Sequence, residues 1–540
     1  MYLKQWKWNR KDRNRLYQSI EELMNMKHSQ FYYPIMSLYF YIHNTRESHK
    51  TIDFKRNYYL RKINKVLKEY ETNSNCIVEG EVYNKPQKTI VSSEIFCKNI
   101  PLLDPIHFIL NNYSVHYKRN PFLPSNYLAN TQHKINNLDN MAYIDVFCSY
   151  LFSELTIQDK LPCFPIYYGS VNGLKNINYD ITGDIEEFEI HRDFIKMIDK
   201  SFTLKKIEYD VSSESDTSSK RKRKRTNDSG SIESIPRSDI SESVLSYQSS
   251  NSGSSYSSSE GYYDSLIVAE LKDCPTISLF IEKLKGTLDE MISDSLCLDD
   301  IKSCYFQVAF SLAYLQKFYG FTHNDLHVSN VMYTPTDRKY LYYKYNNLYF
   351  KVPTYGKIFK IIDFGRSILT FKKKIFMNDA FSKYGEAEGQ YKYSSSIPFM
   401  NPNKGTNPSY SFDLCRLSIT ILDEVRDRYE DSVDTDNDET IIQKYDNLMD
   451  FLKYTTTDKY GTRLDKENDD FSLYINISKN AENSLPTDIL TNDFFNEYRV
   501  KKKLFPMKSC YSLSSGKSEE KENQSQGKKK EKPHRKRRRM

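Results

Sequence analysis

Between residues 301 and 319 apolar side chains recur close to every 3.6 positions, at Tyr305, Val308, Ala309, Leu312, Ala313 and Leu315, and Gly320 follows. That spacing predicts a helix that stops at Gly320 and delivers the chain into a loop at Thr322. Upstream, the apolar run 276–284 predicts a buried strand broken at Gly286, and residues 288–292 open a second helix. Downstream, the run Ile358, Phe359, Ile361, Ile362 predicts a strand ending in Asp363-Phe364-Gly365. Between them, the aromatic runs 340–345 and 348–352 flank Asn346-Asn347 and predict a hairpin with a two-residue turn. This hairpin is expected to carry the chain from Asn330 back to Asp363. Residues 212–259 break the pattern: twenty serines and scattered acids without hydrophobic periodicity cannot bury enough surface to offset ordering, which predicts a disordered insert.

The helix and the strand each end in a chemical signal. Residues 323–330 read His-Asn-Asp-Leu-His-Val-Ser-Asn, so an acid is followed five positions later by an amide, and a second acid, Asp363, closes the later strand. Phosphoryl transfer from Mg-ATP needs one carboxylate to orient the attacking hydroxyl, and an amide and a carboxylate to hold the metal that bridges the phosphates. Asp325 then reads as the catalytic base, with Asn330 and Asp363 as magnesium ligands. The bland alternative for Asp325 and Asn330 is a loop capped by Asx turns; the company of His323 and Asp-Phe-Gly weighs against it.

With these residues in view, the segment from about Phe96 to Asp413 resembles the protein kinase superfamily, closest to serine/threonine-protein kinases assigned in giant DNA viruses. Residues 94–98, Glu-Ile-Phe-Cys-Lys, followed by Pro-Leu-Leu-Asp-Pro at 101–105, resemble the strand that supplies a phosphate-contacting lysine, here Lys98. Residues 140–147 resemble the helix that donates that lysine's acidic partner, which would be Asp145 or, on the same helix, Glu154. Residues 411–417 resemble the helix whose buried aspartate, Asp413, ties down the catalytic loop. The resemblance implies an α+β, two-lobed fold, with ATP and Mg²⁺ between the lobes and the adenine against the hinge at Glu282 and Leu284. It further implies residues 1–75 as a helical extension, 76–285 as a small lobe holding a disordered insert at 208–262, 286–505 as a large lobe, and 506–540 as a disordered basic tail. The activity implied is transfer of the terminal phosphate of ATP to serine or threonine hydroxyls of a protein substrate.

The chain departs from that pattern at several places. Asn324 follows His323 where an arginine is usual, which removes the cationic pocket that reads a phosphorylated activation segment. His327 stands two positions after the base, where serine/threonine kinases usually carry lysine; histidine there also occurs in small-molecule phosphotransferases of related fold. Ahead of Lys98 there is no Gly-x-Gly-x-x-Gly, and the nearest candidate for a phosphate-covering turn is the single Gly80 in Val-Glu-Gly-Glu-Val at 78–82. No Ala-Pro-Glu closes the activation segment, for which residues 385–407 are the matching region. A pseudokinase scaffold and a small-molecule phosphotransferase are the rival readings.

Composition narrows the setting. A length of 540 residues accommodates a two-lobed enzyme with extensions. Nine scattered cysteines without Cys-x-x-Cys argue against a zinc site or a disulfide framework and suit a reducing compartment. No apolar run approaches membrane-spanning length, so a soluble intracellular protein is expected, in host cytoplasm or nucleus or in a virion, and as a monomer. Residues 517–540 hold eleven Lys or Arg against four Glu, a net of +7 that equals the formal charge of the whole chain. With six further consecutive cations at 220–225, these tracts read as segments for acidic proteins, for nucleic acid without sequence preference, or for an import receptor; a solubilising tail is the bland reading. The serine-rich insert, with acids near residues 231–234, reads as a candidate for self-phosphorylation.

Overall fold

The computed structural model describes residues 10–31, 57–113, 126–210, 231–235, 263–371, 374–383, 385–392, 408–432, 439–465 and 470–514. The described structure is mixed α and β. Its N-terminal half carries eight antiparallel strands: β1 (Lys27–Phe31), β2 (Tyr58–Glu69), β3 (Cys76–Asn84), β4 (Thr89–Pro101), β5 (Tyr167–Asp180), β6 (Phe202–Asp210), β7 (Ser231–Ile235) and β8 (Tyr263–Glu282). They lie in the order β1-β5-β8-β4-β3-β2, with β6 on the far stretch of β8 and β7 beyond it.

The central strand β8 is buried without interruption from Cys274 to Ile281 because helices cover both of its faces. On one face helix α1 (Arg10–Met24) lays Leu16, Ile20 and Met24, spaced four apart, against Leu60, Ile63, Val78, Val171 and Phe280. Full burial of each such side chain is worth roughly 1.5–3 kcal/mol. Short helices α2 (Pro105–Ile109) and α3 (Asn126–Asn136) then lead to α4 (Met141–Ile157), which covers the opposite face at Ile277, Leu279 and Ile281. Asn140 fixes where α4 starts: its Oδ1 accepts from Ala142 N at 3.0 Å as an N-cap, and its Nδ2 donates to Leu102 O at 2.8 Å. That bond binds the helix to the end of the strand that carries Lys98. A separate core gathers where β5, β6 and β8 run long, under α2, α5 (Ile185–Glu189) and α6 (Arg192–Met197).

The C-terminal half begins with β9 (Gly286–Thr287), α7 (Leu288–Asp294) and α8 (Leu298–Tyr319). Thr287 and Glu290 form a reciprocal capping box that starts α7. Every position of the 3.6-residue pattern on α8 is buried, and so are Ser303, Gln307 and Ser311 between them, so the middle of this helix, residues 303–313, is enclosed on all sides. Strands β10 (Val331–Pro335), β11 (Tyr340–Tyr345), β12 (Leu348–Pro353) and β13 (Lys357–Ile361) follow, then the hairpin β14 (Ile368–Phe371) and β15 (Lys374–Met377). Helices α9 (Phe412–Ser432), α10 (Glu439–Thr455) and α11 (Asp470–Asn480) and a short strand, β16 (Tyr511–Leu513), complete the half.

Several expectations are corrected. The stretch 1–75 is not a purely helical extension: β2 pairs with β3 along its whole length and completes the sheet. Its alternating Lys and aliphatic residues, Leu-Arg-Lys-Ile-Asn-Lys-Val, are the half-buried pattern of an edge strand. The insert is shorter than 208–262, because β6 runs to Asp210 and residues 231–235 form β7 against it; 211–230 and 236–262 lie outside the described residues. Ordered chain also reaches further into the C-terminal tail than residue 505, since Tyr511–Leu513 pairs in parallel with β11. The hairpin β11–β12 forms in the expected register, Tyr345 opposite Leu348 and Asn346 at φ +51°, yet it does not return the chain to Asp363. The direct ladder of β10 with β13, Val331 opposite Ile361, does that, and the hairpin is an outgrowth packed on Phe306 and Phe310 of α8.

Gly80 is also not in a turn. It sits in mid-strand between Ile63 and Ser93, where an added Cβ would stand 2.7 Å from Leu60 Cδ1 and 3.0 Å from Lys62 O. Close approach of an irregular β2 explains this glycine. The turn that reaches the cleft is residues 70–75, which contains no glycine.

Candidate functional site

The loop side of the site starts at the end of α8. Gly320 takes the left-handed conformation (φ +52°) that closes the helix, and Thr322 and Ile368 then exchange two backbone hydrogen bonds of 2.9 Å. Asp413, fully buried at the start of α9, accepts from the backbone amides of both His323 and Asn324 at 2.8 Å. Burial pushes its carboxyl above the usual range, while His323 and these two amides pull the other way. His323 Nε2 donates to Ile362 O at 2.8 Å, and Asn324 Nδ2 donates to Arg366 O at 3.0 Å. Asn324 thus stitches the loop to the segment after Asp-Phe-Gly. Ile362 N donates to Asn330 O at 3.1 Å, which sets Asn330 beside the strand end that carries Asp363.

Asp325 emerges from this buried frame partly exposed. Its Oδ1 accepts from Tyr474 Oη at 2.6 Å and lies 3.6 Å from Arg366 Nη1, and its carbonyl accepts from Asn330 Nδ2 at 2.9 Å. His327 braces the same loop: Ser329 N donates to its Nδ1 at 3.3 Å, and its Nε2 is 3.0 Å from Asn330 Nδ2. Burial holds the imidazole below its ordinary pKa.

From the sheet, Lys98 on β4 reaches Asp145 Oδ2 at 2.7 Å and Asp363 Oδ1 at 2.8 Å. Burial works against its charge, but the two carboxylates outweigh it and hold the ammonium above the ordinary lysine range. In return, Lys98 brings Asp363 down to about 2 against the upward push of burial. Asp145 is therefore the partner of Lys98; Glu154, nine residues further along α4, accepts from Gln158 instead. The second oxygen of Asp145 accepts from Phe364 N at 3.1 Å, and the Phe364 ring is wedged among Phe152, Phe164, Phe321 and His323. One carboxylate on α4 thus couples the lysine to the Asp-Phe-Gly turn.

These groups border a cleft of about 490 Å³ between the sheet and the helical half. Ile77, Phe96, Leu279, Ile281, Met332 and Ile362 give it apolar walls, and Lys98, Asp145 and Asp363 lie at its polar end. Glu282 and Leu284 line it as well. The Glu282 carboxylate is engaged by Lys360 Nζ at 2.9 Å and Ile166 N at 3.0 Å, so its side chain is structural. The amide and carbonyl of Leu284 have no hydrogen-bond partner among the described residues. Above the cleft, Tyr70, Asn73 and Asn75 line the β2–β3 turn. Asn99 and Asn178 pin that turn: Asn99 donates to Ser74 O and Asn178 N donates to Ser74 Oγ.

The residues singled out from the sequence as Lys98, Asp145 and Asp363 stand in direct contact, and Asp325 and Asn330 share the adjoining loop. Sequence reasoning missed Tyr474, Arg366 and the turn at 70–75. Arg366 directly follows Asp-Phe-Gly and Asn73-Ser74-Asn75 is a turn-type cluster, so both left a signal; Tyr474 left none. Among the described residues no three His, Cys, Asp or Glu side chains gather as a metal cluster, and no helix is long and apolar enough to cross a membrane.

No family model matches the chain. Over 91 residues, 15% of this chain, it is 44% identical to a Dictyostelium discoideum protein described as a probable serine/threonine-protein kinase, covering 8% of that protein. Over 69 residues, 12% of this chain, it is 41% identical to an Acanthamoeba polyphaga mimivirus protein that bears a provisional serine/threonine-protein kinase name, covering 17% of it. The chain spans less than a fifth of the length of either relative, and its likeness to these two proteins, both named as serine/threonine-protein kinases, is confined to a short stretch.

Proposed function

We propose that this chain is an ATP-dependent protein kinase that phosphorylates serine or threonine, with the sheet-rich half as the small lobe and the helical half as the large lobe. The observation that carries the reading is Lys98 joined to both Asp145 and Asp363 at the polar end of an apolar cleft, with Asp325 and Asn330 in the adjoining loop. The cleft volume suits a nucleotide-sized ligand. An adenine fits the apolar walls, with the unpartnered amide and carbonyl of Leu284 to meet its edge. Lys98 is a permanent cation for the phosphates.

The donor set, one carboxylate held ionised and one amide, fits a hard cation with oxygen ligands. Asp363 and Asn330 would hold Mg²⁺, which when bound supplies neutralisation of phosphate charge. The remaining work belongs to this chain: Asp325 accepts the acceptor hydroxyl's hydrogen bond and aims its oxygen, Asp145 keeps Lys98 in place, and the buried Phe364 keeps Asp363 at the cleft. Such positioning and charge compensation are the main sources of rate in phosphoryl transfer.

The test is transfer of labelled phosphate from Mg-ATP to a generic basic protein, wild type beside Asp325→Asn. Label on serine or threonine, lost in the variant, is the expected outcome. Nucleotide-dependent thermal stabilisation without any transfer would replace this reading with a scaffold, and transfer to small hydroxyl compounds alone would replace the protein acceptor.

A further inference from the structure

Helix α11 is short and late in the chain, and its apolar positions explain its docking. Leu473 and Ile477, four apart, bury against Phe412, Cys415 and Ile419 of α9. Ser478 Oγ donates to Gln390 O at 3.1 Å, tying the helix to the segment that follows Asp-Phe-Gly. With those contacts made, Tyr474 is turned toward the loop at 322–330. Its ring packs 5.8 Å from that of Phe412, with the guanidinium carbons of Arg416 and Arg366 at 5.2 Å and 5.7 Å from its centroid. Its hydroxyl then meets Asp325 Oδ1 at 2.6 Å, the shortest polar contact that carboxylate makes.

The other carboxylate oxygen, Oδ2, has no side-chain or backbone partner among the described residues. An isolated aspartate turns freely about its last torsion, and its two oxygens are equivalent to an approaching hydroxyl. A strong donor on one oxygen removes that freedom and leaves a single oxygen to face the cleft. Hydrogen bonds to ionised groups are the stronger class, and the cations flanking the ring hold the donor where it is. Burial also keeps the phenol above its ordinary pKa, so it remains a donor throughout the neutral range.

We infer that Tyr474 is a positioning residue for phosphoryl transfer: its hydroxyl locks Asp325 through Oδ1, so that Oδ2 alone receives the acceptor hydroxyl. This rests on the kinase reading above. It gives α11 a task beyond packing, since the base is then held by a distant helix.

The experiment compares wild type with Tyr474→Phe and Tyr474→Met, measuring kcat and KM for ATP with a basic protein acceptor, and the thermal midpoint. Loss of the hydroxyl is expected to lower kcat about tenfold in both variants, with KM for ATP and nucleotide-induced stabilisation unchanged. Two side chains of different shape should agree only if the hydroxyl is the active element; a kcat that follows the thermal midpoint of each variant would make Tyr474 a packing residue and overturn the inference. Wild-type kcat in both would overturn it too. A rise in kcat would overturn it in the opposite sense, because the phenol would then be occupying the acceptor's place. Wild-type protein that binds nucleotide and transfers nothing would remove the kinase reading and this inference together, a result distinct from failure at Tyr474 alone.

Discussion

On the loop side of the cleft, the segments around Asp325 and Asp363 are fixed by contacts that converge on Asp413, a fully buried carboxylate. On the sheet side, the turn at 70–75 hangs from the side chains and backbone amides of Asn99 and Asn178, which belong to strands remote from it in sequence. The loop side is therefore a single buried frame in which each piece holds the next: Asp413 the loop, His323 the strand end, Asn324 the chain at Arg366. The sheet side is a ladder with local ties, and one tie can be lost without the rest. A buried charged acceptor fails as a unit, whereas neutral amide ties fail one at a time.

The comparison predicts unequal costs. Asp413→Ala leaves the amides of His323 and Asn324 buried without an acceptor. Each such group costs roughly 1–3 kcal/mol, partly offset by no longer burying a carboxylate, for a net loss of about 3 kcal/mol. Phosphate transfer should vanish with it, because Asp325 lies one residue beyond the released amides. Thermal unfolding followed by circular dichroism checks this, and an unchanged midpoint would mean that Asp413 is not the keystone of the loop side.

Asn99→Ala tests the other side. The side chain is buried, donates to Ser74 O and accepts from Ser278 Oγ, so its removal should cost about 1–2 kcal/mol. Amide hydrogen exchange should accelerate at residues 70–75, nucleotide affinity should fall several-fold, and protection at residues 322–330 should stay as it was. Exchange that rises equally in both segments would show that the two sides are one cooperative unit.

The same contrast decides what could be read from the chain. The loop side was legible because chemistry restricts residue types at short spacings: an acid and an amide five apart, Asp-Phe-Gly after an apolar strand, an aspartate opening a helix. The central period of α8 and the turn at Asn346-Asn347 were legible for the same local reason. On the sheet side Lys98 and the turn-type cluster Asn73-Ser74-Asn75 left a signal, but the turn's approach to the cleft did not, because it is set by Asn99 and Asn178, whose contact with residues 71–75 no periodicity reports. Gly80 misled in the same way: its cause is the bulged approach of Leu60 and Lys62 from a neighbouring strand, and a lone glycine reads alike in a strand and in a turn. β2 and β7 were missed since edge strands rich in lysine or serine resemble exposed chain until a partner strand is placed beside them. Tyr474 belongs to this group, being brought to Asp325 across 149 positions by the docking of α11.

The smallest effect is expected at the far end of the sheet, where β5, β6 and β8 run past the cleft. There Glu270 pairs with Lys205 across β6 and β8 and accepts from Asn176 Nδ2 at 3.0 Å. Burial pushes its carboxyl up, but Lys205 and Asn176 more than reverse this and hold it below the ordinary value of 4.5. A carboxyl depressed in the folded state stabilises the fold once the unfolded chain has also lost that proton. Its contribution is thus complete above about pH 4.5 and disappears as the pH falls through the lower folded value. A partly exposed ion pair of this kind is worth below about 1 kcal/mol. Glu270→Gln should therefore lower the midpoint of urea unfolding slightly at pH 7, and the difference from wild type should shrink as the pH falls through the lower folded value. A difference that does not shrink on acidification would assign the loss to packing on the ladder rather than to charge. Any change in nucleotide affinity would tie this end of the sheet to the cleft, against the local independence that distinguishes the sheet side from the loop side.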